Sequence, residues 1–134
     1  MNDRTVAALT EAIQDEYKAR ATYRKVIAVF GSVRPFVNII EAEGRHVEAL
    51  LRQFDRLGEP PPADEWAERA EAPASIAAAC EMAISAEIDN AAMYDRLLTM
   101  VDDPTVRKVL LNLQDASKNR HLPAFRRCLE RSRS

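Results

Sequence analysis

The sequence has 134 residues, of which 30% are charged and 47% apolar, and a formal net charge of −2. This length suits one domain over residues 1–134, and the abundance of Ala, Leu, Glu and Arg predicts an all-α protein. The charge balance argues against a nucleic-acid partner. The lack of a long apolar run or a basic, apolar N-terminal segment predicts no membrane span and a cytoplasmic protein, the alternative being a leader removed from the precursor.

The first predicted helix, over about residues 5–30, carries a glutamate among apolar positions. Leu9, Glu16, Tyr23 and Phe30 are spaced by seven residues and therefore lie along one face of the helix. Glu16 is thus expected to point where leucine and phenylalanine point. The glycine and proline of the segment 31–35 end this helix and begin the next.

The second predicted helix, over about residues 35–57, contains a Glu-x-x-His pair inside its apolar stripe. Glu43 and His46 are three residues apart and share a face of the helix. Pairs of this kind on two helices of a bundle build carboxylate-bridged di-metal centres. The alternative is a surface pair that arises by chance in a charged helix.

Two further helices are predicted, over about residues 75–101 and 104–130. The second helix is separated from the third by a Pro-rich stretch, with room for one short helix around Trp66, and the third from the fourth by Asp103 and Pro104. Pro123 is expected to kink the fourth helix. The predicted fold is a four-helix bundle made of two antiparallel hairpins joined by a long Pro-rich crossover.

The two hairpins form a weak internal repeat, with Glu-x6-Tyr in the first arm and a histidine in the second. Folding each hairpin at its turn brings Glu16 level with Glu43 and His46, and Glu87 level with His121. Carboxylates that converge in a dry core need a cation or a proton to neutralise them. Carboxylate and imidazole ligands favour iron or manganese, in a centre of one or two ions.

The motifs of the first half resemble those of rubrerythrin-type proteins of the ferritin-like superfamily. Residues 16–23 match the pattern Glu-x-x-Ala-Arg-x-x-Tyr, and Phe36 followed by Glu43 and His46 resembles the second-helix signature. The turn 33–36, the Pro-rich stretch before Trp66 and the segment 119–125 resemble a small family of ferritin-like domains of unassigned function. The resemblance runs from Leu9 to Cys128 and implies a ferritin-like bundle.

By this resemblance, five residues carry over as metal ligands. Glu16, Glu43 and His46 would hold one metal position, and Glu87 and His121 the other. The fourth helix departs from the pattern, since Lys118 stands where a di-iron protein has its second bridging glutamate. Lys118 either swings out and leaves a depleted site, or reaches in and replaces one metal charge.

Two more pairs of residues stand out by their spacing from the predicted ligands. Tyr23 and Tyr94 follow their glutamates by two helical turns, where a phenol packs in the core, hydrogen-bonds a ligand carboxylate or donates an electron. Pro104 lies midway in sequence between Cys80 and Cys128, and also between Glu87 and His121. Folding the chain at that turn therefore predicts that the two cysteines are neighbours. They form either a disulfide or two reduced core thiols, and a cytoplasmic location favours the reduced pair.

Two functions follow from these features. The first is a ferritin-like redox enzyme acting on oxygen or peroxide, which needs an external electron donor because the chain has no Cys-x-x-Cys module. The second is a metal-free or partly occupied bundle with a structural, sensing or protein-interaction role, which the altered fourth helix favours. In either case a homodimer formed through a helix face is compatible with a bundle.

Overall fold

The computed structural model describes residues 2–133, and in this range the chain is all-helical with no β-strand. Three helices are α1 (Asn2–Phe30), α2 (Phe36–Leu57) and α3 (Ile76–Leu98). The fourth long helix consists of α4 (Pro104–Ala116), a π-helical turn (Ser117–His121) and α5 (Leu122–Arg133). The prediction of an all-α fold with four helices is confirmed.

The ends of the helices are fixed by the residues that the sequence places there. Ser75 and Asp103 cap α3 and α4, because their side chains accept hydrogen bonds from backbone N–H groups of the first turn. Pro104 follows as the first residue of α4. Gly58 ends α2 with a φ of 70°, a left-handed conformation that glycine adopts without a steric penalty. Pro35 immediately precedes α2 rather than occupying its first turn.

Helix α3 ends three residues before the predicted boundary at residue 101. The carbonyl groups of Leu98 and Val101 accept hydrogen bonds from the guanidinium of Arg107, which replace bonds that further helix would have supplied. The hydroxyl of Thr99 likewise donates to the carbonyl of Arg96. Side chains therefore satisfy this helix end and allow the turn into α4.

The segment 58–75 contains a single helical turn, at Trp66, and lies against α1. The Tyr17 hydroxyl donates to the carbonyl of Pro62 at 3.2 Å, and Arg20 pairs with Asp64 at 3.1 Å. The carbonyl of Trp66 accepts hydrogen bonds from two N–H groups of the following turn. These contacts fix the Pro-rich segment along the outside of the bundle.

Two clusters of buried apolar side chains fill the core, with a polar layer between them. The first cluster includes Leu9, Leu50 and Leu110, and the second includes Phe36 and Phe125. Burial of these side chains is the main stabilising contribution to the fold. The helices supply the polar layer at mid-height, where the predicted site residues lie. Within residues 2–133, no helix combines the length and the apolarity needed to cross a membrane.

Candidate metal centre

All five predicted ligand residues meet in the polar layer. Glu16 and Glu87 enter it from α1 and α3, Glu43 and His46 from α2, and His121 from the end of the π-helical turn. The three glutamates and His121 are at most 4% exposed, and the side chain of His46 is 13% exposed. Charged groups are buried at this depth only when partners or ions compensate them.

These residues form two groups that share one glutamate. Glu16, Glu43 and His46 offer ligand atoms within 4.8 Å of one another, and so do Glu43, Glu87 and His121. The two oxygens of Glu43 face different imidazoles: Oε1 lies 3.5 Å from Nδ1 of His121, and Oε2 lies 3.7 Å from Nδ1 of His46. This is the arrangement of a carboxylate that bridges two positions.

The donor atoms have the spacing that ligands of a common ion require. Nδ1 of His46 lies 3.3 Å from Oε1 of Glu16, and Nδ1 of His121 lies 3.3 Å from Oε1 of Glu87. Two donors each about 2.1 Å from one ion, at angles of about 90–110°, are about 3.0–3.4 Å apart. Among the described residues, Oε2 of Glu43 is fully buried and accepts no hydrogen bond. The buried groups therefore fit a metal ion, which would supply the missing partner.

The electrostatics of the layer show the same need for a cation. Burial raises the pKa of Glu43 well above its usual range, and the negative charges of Glu16 and Glu87 raise it further. Burial also raises the pKa of Glu16, but a proton held by Glu43 and the imidazole of His46 outweigh it and bring the pKa of Glu16 to about 2. Without an ion, the surroundings of Glu43 thus favour its protonated form, and a divalent ion would compete with that proton.

The two tyrosines donate hydrogen bonds across the bundle to the outer glutamates. The hydroxyl of Tyr23, on α1, lies 2.7 Å from Oε2 of Glu87, and the hydroxyl of Tyr94, on α3, lies 2.6 Å from Oε2 of Glu16. Burial raises the pKa of both phenols well above the usual value, and the nearby carboxylates raise it further, so both stay protonated donors. Each ring is also fully buried, so each tyrosine packs in the core as well.

Two further donors were not predicted from the sequence. The side-chain amide of Asn90 donates to Oε2 of Glu16 at 3.1 Å and to Asp15 at 2.6 Å. The hydroxyl of Ser117 donates to Oε1 of Glu87 at 2.7 Å. Asn90 is three residues after Glu87 and four before Tyr94, so helical spacing alone would have placed it on the same inward face.

The fourth helix does not bring Lys118 to the site. Lys118 is exposed, and the preceding residue, Ser117, is buried and reaches Glu87 instead. Of the two placements expected for Lys118, the structure has the one in which the lysine points away from the ligands. Here the N–H of Leu122 bonds the carbonyl of Ser117 in a π-helical turn, which rotates the preceding residues relative to His121. The helix thus departs from α geometry before it reaches Pro123.

The two cysteines lie together, as predicted from the turn at Pro104, which is midway between them in sequence. Cys80, on α3, and Cys128, on α5, are joined as a disulfide with their Cα atoms 6.0 Å apart. Both are buried in the apolar cluster that contains Phe36 and Phe125. The structure thus has the oxidised pair, which was the less favoured of the two predicted states.

Comparisons with known proteins give one informative likeness. No protein-family model matches the chain, and no curated protein matches it. The fold is similar to that of the crystal structure of hypothetical protein MJ0754 from Methanococcus jannaschii DSM 2661, with a TM-score of 0.88 and 21% sequence identity over 100% of this chain and 84% of that chain. At this level of identity, the likeness concerns the fold alone.

Proposed function

We propose that this chain is a ferritin-like protein that holds two divalent ions, iron or manganese, and acts in redox chemistry on oxygen or peroxide. The observation that carries the proposal is the sharing of Glu43 between the two buried groups of ligands. A pair of isolated surface sites would not require one carboxylate to face both imidazoles. The resemblance of residues 16–23 to the rubrerythrin-type motif supports the same assignment.

The course of the chain supports the ferritin-like assignment. Contacts such as Glu11 with Arg96 and Tyr23 with Glu87 require α1 and α3 to run in opposite directions. The disulfide and the bond from Ser117 to Glu87 require the same of α3 and the fourth helix. These directions agree with two antiparallel hairpins and a long connection along residues 58–75.

Each residue of the layer has a defined task in this proposal. Glu43 would be shared by the two metal positions, with Glu16 and His46 completing one and Glu87 and His121 the other. Tyr23, Tyr94, Asn90 and Ser117 orient the outer carboxylates by donating hydrogen bonds to them. Iron or manganese, when bound, would supply the electrons for the reduction of oxygen or peroxide. The external electron donor and the homodimer stay predictions from the sequence.

Metal analysis tests this proposal. Protein purified without chelator, and chelator-treated protein incubated with Fe²⁺ or Mn²⁺, should each contain about two ions per chain. Glu43→Ala should lose both ions, whereas His46→Ala and His121→Ala should each lose one. Glu48→Ala, on an exposed position of α2, is the matched control and should keep both. Wild-type protein that is folded by circular dichroism and takes up no ion would overturn the proposal.

A second function has one observation in its favour. Ser117 supplies a hydroxyl, not a carboxylate, to the layer, so a second bridging glutamate is missing from the fourth helix. A bundle that keeps a polar core without metal and serves a structural, sensing or protein-interaction role is consistent with this change. The same metal analysis separates the two functions, because this alternative requires a folded protein that stays free of metal.

A further inference from the structure

A cleft of about 270 Å³ opens between α2 and the fourth helix, beside the two imidazoles. The rings of His46 and His121 line it and stack on each other, with their centroids 5.5 Å apart and their planes 18° from parallel. Ala42 and Ala116 keep the space next to the rings open because their side chains are short. The cleft therefore leads from the surface to the histidine side of the candidate metal centre.

The side chains that line the cleft include two guanidinium groups. Arg45 and Arg120 line it from opposite helices, and both are exposed. None of the described residues lining it carries a carboxylate. Four other arginines are paired with acidic residues, among them Arg20 with Asp64 and Arg56 with Asp103. Within residues 2–133, the side chain of neither Arg45 nor Arg120 makes a hydrogen bond or an ion pair.

The imidazoles also have a donor position to offer. In both rings Nδ1 faces the carboxylates, so Nε2 is the nitrogen that carries the proton when Nδ1 acts as a ligand. Among the described residues, Nε2 of neither His46 nor His121 has a hydrogen-bond partner. Metal-ligating histidines ordinarily donate this N–H to a carboxylate, a carbonyl or water. Here the partner must come from outside the described residues.

We propose that the cleft binds a small oxyanion of the phosphate or short-carboxylate type, held by Arg45 and Arg120 beside the two imidazoles. Guanidinium groups match the two oxygens of such an anion with paired N–H donors. The ring N–H groups of His46 and His121 are the further donors. The anion would thus be the external partner that the chain does not provide.

The inference rests on the proposed function in one respect. The charged carboxylates behind the imidazoles would repel an anion if no cations neutralised them. Two divalent ions bring four positive charges against these three negative ones and leave one positive charge in the layer. Anion and metal should therefore strengthen each other's binding by the same factor.

Inorganic phosphate is the probe for the test. Wild-type protein is loaded with Mn²⁺, its metal content is measured, and phosphate is titrated into the loaded and the chelator-treated protein by calorimetry. We expect one phosphate per chain, with weaker binding after chelation. Arg45→Gln and Arg120→Gln should each weaken phosphate binding at least about tenfold and leave the metal content unchanged. Arg52→Gln, at another exposed position of α2, is the matched control and should bind as the wild type does.

A second readout locates the anion. Bound Mn²⁺ should speed the relaxation of phosphorus-31 in phosphate held beside the histidines, and the two arginine variants should lose this effect. Equal phosphate affinity in Arg45→Gln, Arg120→Gln and Arg52→Gln would overturn the inference, as would unaltered relaxation. Failure of the proposed function is visible separately, as the absence of Mn²⁺ from the loaded wild type. Formate, titrated in the same way, shows whether a carboxylate serves as well as phosphate.

Discussion

The hydroxyl of Tyr23 donates a 2.7 Å hydrogen bond to Glu87 on the neighbouring helix and not to Glu16 on its own. Tyr94 makes the reciprocal bond, from α3 to Glu16 on α1. Each of the two helices thus supplies the donor for the other's carboxylate. The bonds hold α1 and α3 together through the layer of buried charge.

Replacing Tyr23 or Tyr94 with phenylalanine removes the donor and keeps the ring. A hydrogen bond to a charged group contributes about 1.5–3 kcal/mol, so each variant should lose about that much free energy of unfolding. Urea unfolding in the presence of chelator measures the loss. Tyr17→Phe is the control, because its hydroxyl bonds the neutral carbonyl of Pro62, and it should lose about 1 kcal/mol. Equal losses in all three variants would contradict the special role of the buried carboxylates.

The stability of the metal-free protein should fall as the pH rises above about 4.5. Burial and neighbouring charges raise the pKa of Glu43 above its ordinary value of 4.5, so the folded state keeps a proton that the unfolded state releases. The contribution of Glu43 to stability is therefore fully present below the unfolded pKa and is lost as the pH rises toward the folded pKa. Glu16, whose pKa is lowered to about 2, contributes stability that is lost only in more acidic solution.

Glu43→Gln isolates this contribution, because glutamine has the same shape and no charge. In chelator at pH 8, the variant should be more stable than the wild type by at least about 1 kcal/mol, and its stability should fall less between pH 5 and 8. Asp15, whose pKa is raised by burial, keeps a slope of the same sign in both proteins. Thermal unfolding across this range makes the comparison, and parallel curves would refute the assignment to Glu43. Addition of Mn²⁺ should stabilise the wild type alone.

The meeting of the five ligand residues followed from helical spacing and from the places of the turns. Glu16 lies in a row of large apolar residues spaced by seven, so its direction was fixed within its own helix. Pro104 is centred between Glu87 and His121 and also between Cys80 and Cys128, so folding at that turn aligns both pairs. Periodicity and turn chemistry are local properties, and they are legible in the sequence.

Contacts that depend on a break in helix geometry could not be predicted in the same way. In a regular α-helix, Lys118 stands three residues before His121 and shares its face, which is why an inward position was one of its two expected placements. In the π-helical turn, Ser117 faces α3 and bonds both the backbone and the side chain of Glu87. The pairing of each tyrosine with the glutamate of the other helix likewise depends on side-chain geometry between α1 and α3.

The disulfide between Cys80 and Cys128 should contribute to stability through the unfolded state. It closes a loop of 48 residues in sequence separation, and constraining a loop of that length is worth about 4 kcal/mol in the chain-entropy account. Reductant should therefore lower the midpoint of urea unfolding. A Cys80→Ser, Cys128→Ser double variant is the control and should not respond to reductant. Two titratable thiols in unreduced, unfolded wild-type protein would show that the pair is reduced.

Ser117 is the position at which a second bridging carboxylate can be tested. It is buried, and its hydroxyl lies 2.7 Å from Oε1 of Glu87, whereas Lys118 is exposed. In chelator, Ser117→Asp should be less stable than the wild type by about 1–3 kcal/mol, because a second carboxylate then faces Glu87 without a donor. Two bound divalent ions carry one positive charge more than the three glutamates neutralise, and the carboxylate of Ser117→Asp would neutralise that remaining charge.

Ser117→Asp should therefore bind Mn²⁺ more tightly than the wild type and should gain more stability from it. Lys118→Glu lowers the charge of the same helix by two units, against one for Ser117→Asp, but on the exposed side, so its Mn²⁺ affinity should stay within about twofold of the wild type, as expected for a screened surface charge. Ser117→Ala separates the loss of the hydroxyl from the gain of a carboxylate. Competition for Mn²⁺ against a fluorescent chelator gives the affinities. Equal gains in Ser117→Asp and Lys118→Glu would mean that long-range charge acts, and not a ligand in the polar layer.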